Sequence, residues 1–331
     1  MKKILIITDA YNPQINGVVT TMNHVIEELK KEHDVMVIEP SMFKLIPFNV
    51  YTDVKLAIPY GLEKMMKKFN PDYIHIVTEF TLGIAANYIC CKNKWNFTTA
   101  YHTKFPEYAK EHFRLPVNLG YAILRNFHNK SKNIMVATKS LYEQLTAKRF
   151  KRLAMWNRGV DTVLFDPSKN AELFKDYEKP ILLNVGRVSY EKNIDKFLDT
   201  KIKGTKVIVG DGPALKDLKN KYKDVVFLGA KKGEELANIF ASADCFVFPS
   251  LTDTFGLVIL EALASGLPVA AYNVTGPKDI LNEDIGCLTE DNLAKAIEGA
   301  LLKDKRKCRD FALNHSWKEC ANKFLSNLVH I

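Results

Sequence analysis

Residues 248–261 read FPSLTDTFGLVILE, an order suited to capturing a phosphorylated nucleoside. An apolar strand end runs into a loop bearing Asp253, and a helix opens near Phe255, Gly256 and Leu257. A second carboxylate, Glu261, follows inside that apolar helix. The unfilled N–H groups of a helix start favour an anion. Glu261 either accepts both hydroxyls of a ribose or pairs locally, because a carboxylate in apolar surroundings is rarely left alone. Upstream, Gly186-Arg187 closes an apolar run and Lys192 follows five residues later. A guanidinium grips a diphosphate through its planar fork and an ammonium acts as a point charge. The other reading of these cations is ordinary surface pairing with Glu191 and Asp195. Val209-Gly210-Asp211-Gly212-Pro213 is a strand end and tight turn, with the proline placed to begin a helix. In the first half, Asn16-Gly17 precedes a helix opening at Val18, either a second anion-favouring helix start or a plain connection. It is neither G-x-G-x-x-G nor a P-loop, which disfavours a dinucleotide fold or a kinase-type NTPase.

The elements that must position these residues follow from periodicity. Short apolar runs alternate with amphipathic stretches from end to end, which predicts parallel sheets covered on both faces. Strands are expected near 3–8, 34–38, 73–77, 97–101 and 133–137, and again near 181–185, 205–209, 225–228, 244–248 and 268–271. Helices are expected near 18–32, 60–69, 81–93, 117–128 and 139–149, then 192–200, 213–222, 233–241, 256–265 and 291–301. The pattern breaks over residues 157–180, so one doubly wound domain is assigned to 1–160 and a second to 161–315. Residues 316–331 carry Trp317, Cys320, Phe324 and Leu328 at helical spacing and are expected to pack back on the first domain. Two such sheets in tandem place ligands at the carboxyl ends of their strands, in a cleft between them.

Composition sets the class. With 331 residues, 47% apolar and 26% charged, the chain is an ordinary globular protein of about two domains. Met1-Lys2-Lys3 and the four apolar residues after it read as a buried first strand rather than a signal peptide. The six cysteines show no metal-site spacing and are expected as reduced structural thiols of a cytoplasmic protein. The net charge of +9 lies in one half: residues 1–165 hold 23 Lys and Arg against 14 Asp and Glu, the remainder 24 against 24. A one-sided basic surface suits an anionic partner, or it is simply a solvated lysine-rich face. No helix-turn-helix, RNP-like or zinc-finger pattern accompanies it, so a nucleic acid is not the expected partner. The remaining reading outside the enzymes is a basic peripheral membrane or nucleic-acid binding protein without catalysis.

Taken together and in order, Asn16-Gly17-Val18, Gly186-Arg187 with Lys192, residues 209–213, and residues 253–261 continued by ALASGLPV resemble the retaining family-4 glycosyltransferases of the GT-B fold. The resemblance implies two facing Rossmann-like domains, an acceptor-binding one first and a nucleotide-sugar-binding one second. It implies that Arg187 and Lys192 neutralise the donor diphosphate as it leaves, with Gly186 at their turn. Glu261 would bind the ribose, and the N–H groups of Phe255, Gly256 and Leu257 would meet phosphate or sugar oxygens. Gly17 would approach the diphosphate, and His102, in Tyr101-His102-Thr103, would touch the transferred sugar. The family's E-x7-E pattern appears here with Asp253 in the first position, one methylene shorter, which touches the contact with the sugar hydroxyls. With fixed cations and no D-x-D cluster, no metal or other cofactor is expected, and the resemblance implies substitution on one face with retention. A GT-B epimerase would need no acceptor, and a sugar phosphorylase would need a pyridoxal-phosphate lysine that is not identifiable.

Residues 75–83 (HIVTEFTLG) and 98–108 (TTAYHTKFPEY) resemble the branch that builds glycolipids on diacylglycerol. The resemblance makes diacylglycerol or another lipid the acceptor and a UDP-linked hexose or hexuronate the donor; a GDP-mannose-dependent mannosyltransferase is the alternative. Two segments mix cations with apolar bulk: residues 64–69, with Lys67 and Lys68, and residues 148–156, with Arg149, Lys151 and Arg152. Phe105, Tyr108 and Phe113 add apolar bulk. Such segments either lie in an anionic headgroup layer, giving peripheral attachment to the inner membrane face, or turn their apolar side to the core.

Overall fold

The computed structural model describes residues 1–12, 14, 16–47, 55–102, 105, 106 and 116–331. The chain divides into two compact units, Met1–Arg158 with Trp317–Ile331, and Gly159–Ser316.

The first unit is built on strands β1 (Lys3–Ile7), β2 (Asp34–Ile38), β5 (Tyr73–Ile76), β6 (Thr98–Tyr101), β7 (Asn133–Val136) and β8 (Leu153–Met155). They pair in parallel in the order β2-β1-β5-β6-β7-β8. A short antiparallel pair, β3 (Leu45–Pro47) and β4 (Lys55–Ala57), stands apart. Side chains alternate across a strand, and β1 shows both faces buried: Ile4 and Ile6 join one apolar cluster, Leu5 and Ile7 another. That double burial explains its continuous apolar run, as parallel sheets require. The C-terminal helix Trp317–Asn327 belongs to this unit, packs on helix Gly17–Lys30 and adds Cys320, Ala321 and Phe324 to the cluster that holds Ile4 and Ile6. Trp156 Nε1 donates to the Cys320 carbonyl at 3.1 Å.

The second unit repeats the plan with β9 (Ile181–Val185), β10 (Thr205–Val209), β11 (Val226–Gly229), β12 (Cys245–Phe248), β13 (Val269–Tyr272) and β14 (Gly286–Thr289). Their order is β11-β10-β9-β12-β13-β14, all parallel. The chain reverses its direction of winding between β9 and β12, the neighbours from which the loops after β9 and β12 both emerge. Ligands gather outside the carboxyl ends at such a point. Two edge strands, β8 and β14, and the helix Lys305–Leu313 were not anticipated from the sequence. Among the described residues no helix is long and apolar enough to cross a membrane.

Candidate active site

At the end of β9 the backbone turns through Gly186, whose N–H donates to the Val209 carbonyl at 2.9 Å. Val188 N–H donates to the Asp211 carbonyl, also at 2.9 Å, so the turns after β9 and β10 run against each other. Gly210 makes that approach possible: a Cβ there would lie 1.8 Å from the Gly186 carbonyl oxygen. Held on this turn, Arg187 is exposed, and its guanidinium makes no hydrogen bond or ion pair with any described residue. The surface pairing with Glu191 and Asp195 does not form. Glu191 instead accepts from Ser189 Oγ at 2.6 Å.

Lys192 ends the short turn Tyr190–Lys192, and its Nζ lies 2.7 and 2.9 Å from the two carboxylate oxygens of Asp253. Asn193, in left-handed geometry at φ 56°, donates from Nδ2 to the Pro249 carbonyl at 3.1 Å. The loops after β9 and β12 are thus joined twice.

The loop carrying Asp253 leads to helix Leu257–Ala264 through Gly256, at φ 92° and ψ 72°. This is a left-handed conformation that disfavours a Cβ, and a Cβ there would also press to 3.1 Å on Phe248 and Ile259. Glycine in the capping position leaves the helix without a side-chain cap, and its first turn holds no acidic residue. The positive end of that helix therefore has no anion of its own. One turn along, Glu261 is half-buried among Ile259, Leu260 and Ala262, and its carboxylate accepts no hydrogen bond from any described residue. Burial pushes its pKa up to about 7.

Two residues at this loop, Gly276 and Ser250, were not singled out in the sequence. A Cβ on Gly276 would sit 2.8 Å from the Phe255 carbonyl and 3.4 Å from that of Asp253, so the turn after β13 backs directly on the loop. The signal was Thr275-Gly276-Pro277, a turn following an apolar strand. Ser250, 2% exposed, carries a buried hydroxyl with no hydrogen-bond partner among the described residues. Among the described residues no group of three His, Cys, Asp or Glu side chains is arranged to hold a metal.

In the first unit, His102 follows β6 with its ring edge-on to Trp156, centroids 5.9 Å apart. Burial first, then the charge of Arg158, holds its pKa well below the ordinary value, so the imidazole is neutral. Gly17 opens helix Gly17–Lys30 and is exposed, but Asn16 Oδ1 accepts from Val18 N–H and Val19 N–H at 3.0 Å each. The helix start expected to be open to an anion is therefore largely capped from within.

The basic segments divide differently from the amphipathic reading. Met66 is fully buried and Met65 and Phe69 pack on the core, while Lys67 pairs with Glu63 at 2.7 Å and Lys68 is exposed. Phe150 and Trp156 are likewise core residues. Arg149, Lys151 and Arg152 are all exposed, and Arg152 also donates to the Ser131 carbonyl at 2.8 Å and to that of Asn129, serving the loop after helix Val117–His128. Phe105 is half-buried, edge-on to Phe80. Tyr108 and Phe113 lie outside the described residues. Apolar exposure falls elsewhere: Ile84 and Tyr88 on helix Thr81–Asn93, and Leu119 and Ile123 on Val117–His128. Asn87 Nδ2 donates to the Phe127 carbonyl at 3.0 Å and ties these two helices together.

Residues 15–164 match the family described as Glycosyltransferase Family 4, and residues 166–318 match Glycosyl transferases group 1. The chain is 29% identical over 306 residues to a GDP-mannose-dependent alpha-mannosyltransferase of Mycobacterium tuberculosis, covering 84% of this chain and 81% of that one. It is 28% identical over 349 residues to an alpha-monoglucosyldiacylglycerol synthase of Streptococcus pneumoniae, covering 91% and 78%. In fold it is similar to Anabaena Alr3699/HepE, solved with UDP and glucose: TM-score 0.74, 15% identity, 98% of each chain.

Proposed function

Because this chain belongs to the glycosyltransferases, a family 4 domain followed by a group 1 domain of GT-B fold, we propose that it is a retaining enzyme moving a hexose or hexuronate from a UDP-linked donor to diacylglycerol at a membrane surface. The observation that carries this reading is the joined loop pair of the second unit, where Lys192, Asp253 and an uncapped helix start meet. Breaking the anomeric bond builds negative charge on the departing diphosphate. Lys192, Arg187 and the first N–H groups of Leu257–Ala264 stabilise that charge more than the bound ground state, which lowers the barrier. In this reading the two cations take the place of a metal ion. The unpartnered Glu261 carboxylate accepts the ribose hydroxyls. The acceptor hydroxyl attacks the anomeric carbon on the face the diphosphate leaves, and its proton passes to the departing phosphate oxygen. Neutral His102 offers the transferred sugar a hydrogen-bonding partner without adding charge.

The Lys192–Asp253 pair has a consequence for the donor. Asp253 competes with the diphosphate for the ammonium in a part-buried pair, so Asp253→Asn should tighten UDP binding by about threefold, the worth of a modest ion pair, while lowering turnover through loss of its contact with the sugar hydroxyls. Calorimetric UDP titration alongside steady-state rates checks this; UDP binding that weakens would contradict it.

The lipid acceptor is supported by the S. pneumoniae relative's name, the basic first half, and the exposed apolar side chains on Thr81–Asn93 and Val117–His128. Binding to anionic vesicles should weaken as salt rises, since surface charge is screened within about 8 Å at physiological ionic strength. Equal flotation with neutral and anionic vesicles would count against it. A second reading, GDP-mannose as donor, is favoured by the M. tuberculosis relative. Incubation with UDP-glucose, UDP-galactose, UDP-glucuronate or GDP-mannose, each with diacylglycerol vesicles, followed by mass spectrometry of the lipids, separates them. A product from GDP-mannose alone transfers the conclusion to the second reading.

A further inference from the structure

Arg158 is 4% exposed, yet it has no acidic partner among the described residues. Its Nη1 donates to the Trp156 and Asn157 carbonyls at 2.8 and 3.3 Å, and the guanidinium lies over the Trp156 ring at 4.1 Å. Neither Nε nor Nη2 donates a hydrogen bond to a described residue. A ring face offsets part of a cation's burial, but enclosed charges are as a rule paired with charges. The acids at the neighbouring strand ends are already engaged. Asp9, after β1, accepts from Thr78, Thr81 and the N–H groups of Leu82 and Gly83 at 2.8 to 3.1 Å. Glu79, after β5, is held 2.9 Å from His128 Nε2.

The described titratable groups that interact with Arg158 are neutral. His75, fully buried, takes Thr98 Oγ1 on Nδ1 at 2.9 Å and leaves Nε2 without a partner. Its pKa is pushed down to about 3 by burial and then by the charge of Arg158. His102 is depressed by the same two causes, with smaller contributions from His75 and His128. The Cys320 thiol, which donates to the Asn157 carbonyl at 3.2 Å, completes the surroundings. One uncompensated guanidinium thus stands among neutral rings, beside the histidine assigned above to the transferred sugar.

We propose that Arg158 is an oxyanion-recognition residue, whose free N–H donors take a carboxylate or phosphate carried by one of the two substrates next to His102. The identity of that substrate rests on the glycosyltransferase reading; the vacancy in the charge balance does not. Two sources supply the same chemistry: a hexuronate carboxylate on the donor sugar, or a phosphate on the lipid acceptor.

The test uses the full chain and its Arg158→Gln and Arg158→Lys variants. A donor arm compares UDP-glucuronate with UDP-glucose on diacylglycerol. An acceptor arm compares phosphatidylglycerol with diacylglycerol, using a neutral donor that turns over. On one arm Arg158→Gln should lower kcat/KM for the charged substrate by about tenfold or more, the usual worth of a charge-assisted hydrogen bond. The neutral counterpart should change by less than about threefold, and Arg158→Lys should fall between. Independently of turnover, the His102 imidazole resonance, assigned with His102→Gln, should move on addition of inorganic phosphate or sodium glucuronate to the wild-type chain, because an anion offsets the neighbouring charge. It should stay fixed in Arg158→Gln. An unmoved wild-type resonance with both probes, or equal losses on charged and neutral substrates in both arms, overturns the proposal. A chain that transfers no sugar at all defeats the enzymatic reading instead, and the resonance titration still decides on Arg158.

Discussion

Lys192→Ala should lower kcat by about a thousandfold, the upper range for deleting one preorganised donor to a developing anion, while leaving the protein folded. The ammonium is the only cation of the loop pair whose position is fixed from two sides, by the carboxylate of Asp253 and by the turn Tyr190–Lys192. The pair with Asp253 is part-buried but still reached by solvent, its side chains 29% and 23% exposed, and ion pairs open to solvent contribute about 0–1 kcal/mol to stability. For a unit of this size that corresponds to a shift in melting temperature of no more than about 4 °C. Lys192→Arg should recover part of the rate, since the charge returns with different geometry. Steady-state rates and a thermal melt on the same preparations check both halves. Unchanged turnover in the alanine variant would remove the diphosphate assignment.

Glu261→Gln should abolish a pH dependence that the wild-type protein shows in nucleotide binding. The free carboxyl has a pKa of about 7 because burial disfavours its ionised form and no donor compensates. Ribose hydroxyls supply donors that favour the ionised form, so nucleotide binding lowers the pKa and releases a proton below pH 7. The nucleotide Kd should therefore rise about tenfold from pH 8 to pH 6, following the protonated fraction of a group with pKa near 7. The glutamine variant should bind more weakly at pH 8, by about tenfold or more, and be flat in pH. The sign for stability is opposite. Below the unfolded value of 4.5 the carboxyl is protonated in both states and costs nothing; between 4.5 and 7 the cost of ionising it in the fold grows, and above 7 it is full. Glu261→Gln should thus raise the melting temperature more at pH 8 than at pH 5. Titration calorimetry across pH, with parallel melts, gives both readings. A wild-type Kd flat from pH 8 to 6 would separate Glu261 from the ribose.

Strands buried on both faces were legible in the sequence, since double burial writes itself as an unbroken apolar run: β1, β9 and β12 are examples. An edge position and partial burial do not by themselves hide a strand: β2 and β11, each with one neighbour and half-buried side chains, were expected, whereas the edge strands β8 and β14, of three and four residues, were not. The cationic segments show the limit of an amphipathic pattern. It fixes that one side of residues 64–69 is apolar, but a core takes Met66 as readily as a membrane does. In the candidate site, Lys192, Asp253, Gly256 and Glu261 were singled out from loops after parallel strands and from the family resemblance, and the structure joins Lys192 to Asp253. What could not be read was pairing. Glu191 and Asp195 are nearer to Lys192 in sequence, yet the ammonium reaches across to Asp253, because β9 and β12 are neighbours in the sheet. Arg158 was passed over for the same reason: nothing local shows that a charge lacks a partner.

The most direct measurement is a crystal structure of this chain with UDP. The account predicts the ribose hydroxyls on the Glu261 carboxylate, with the phosphates on Lys192, Arg187 and the first N–H groups of Leu257–Ala264. A diphosphate held away from that helix start, with Lys192 still closed on Asp253 and Glu261 untouched, would contradict it.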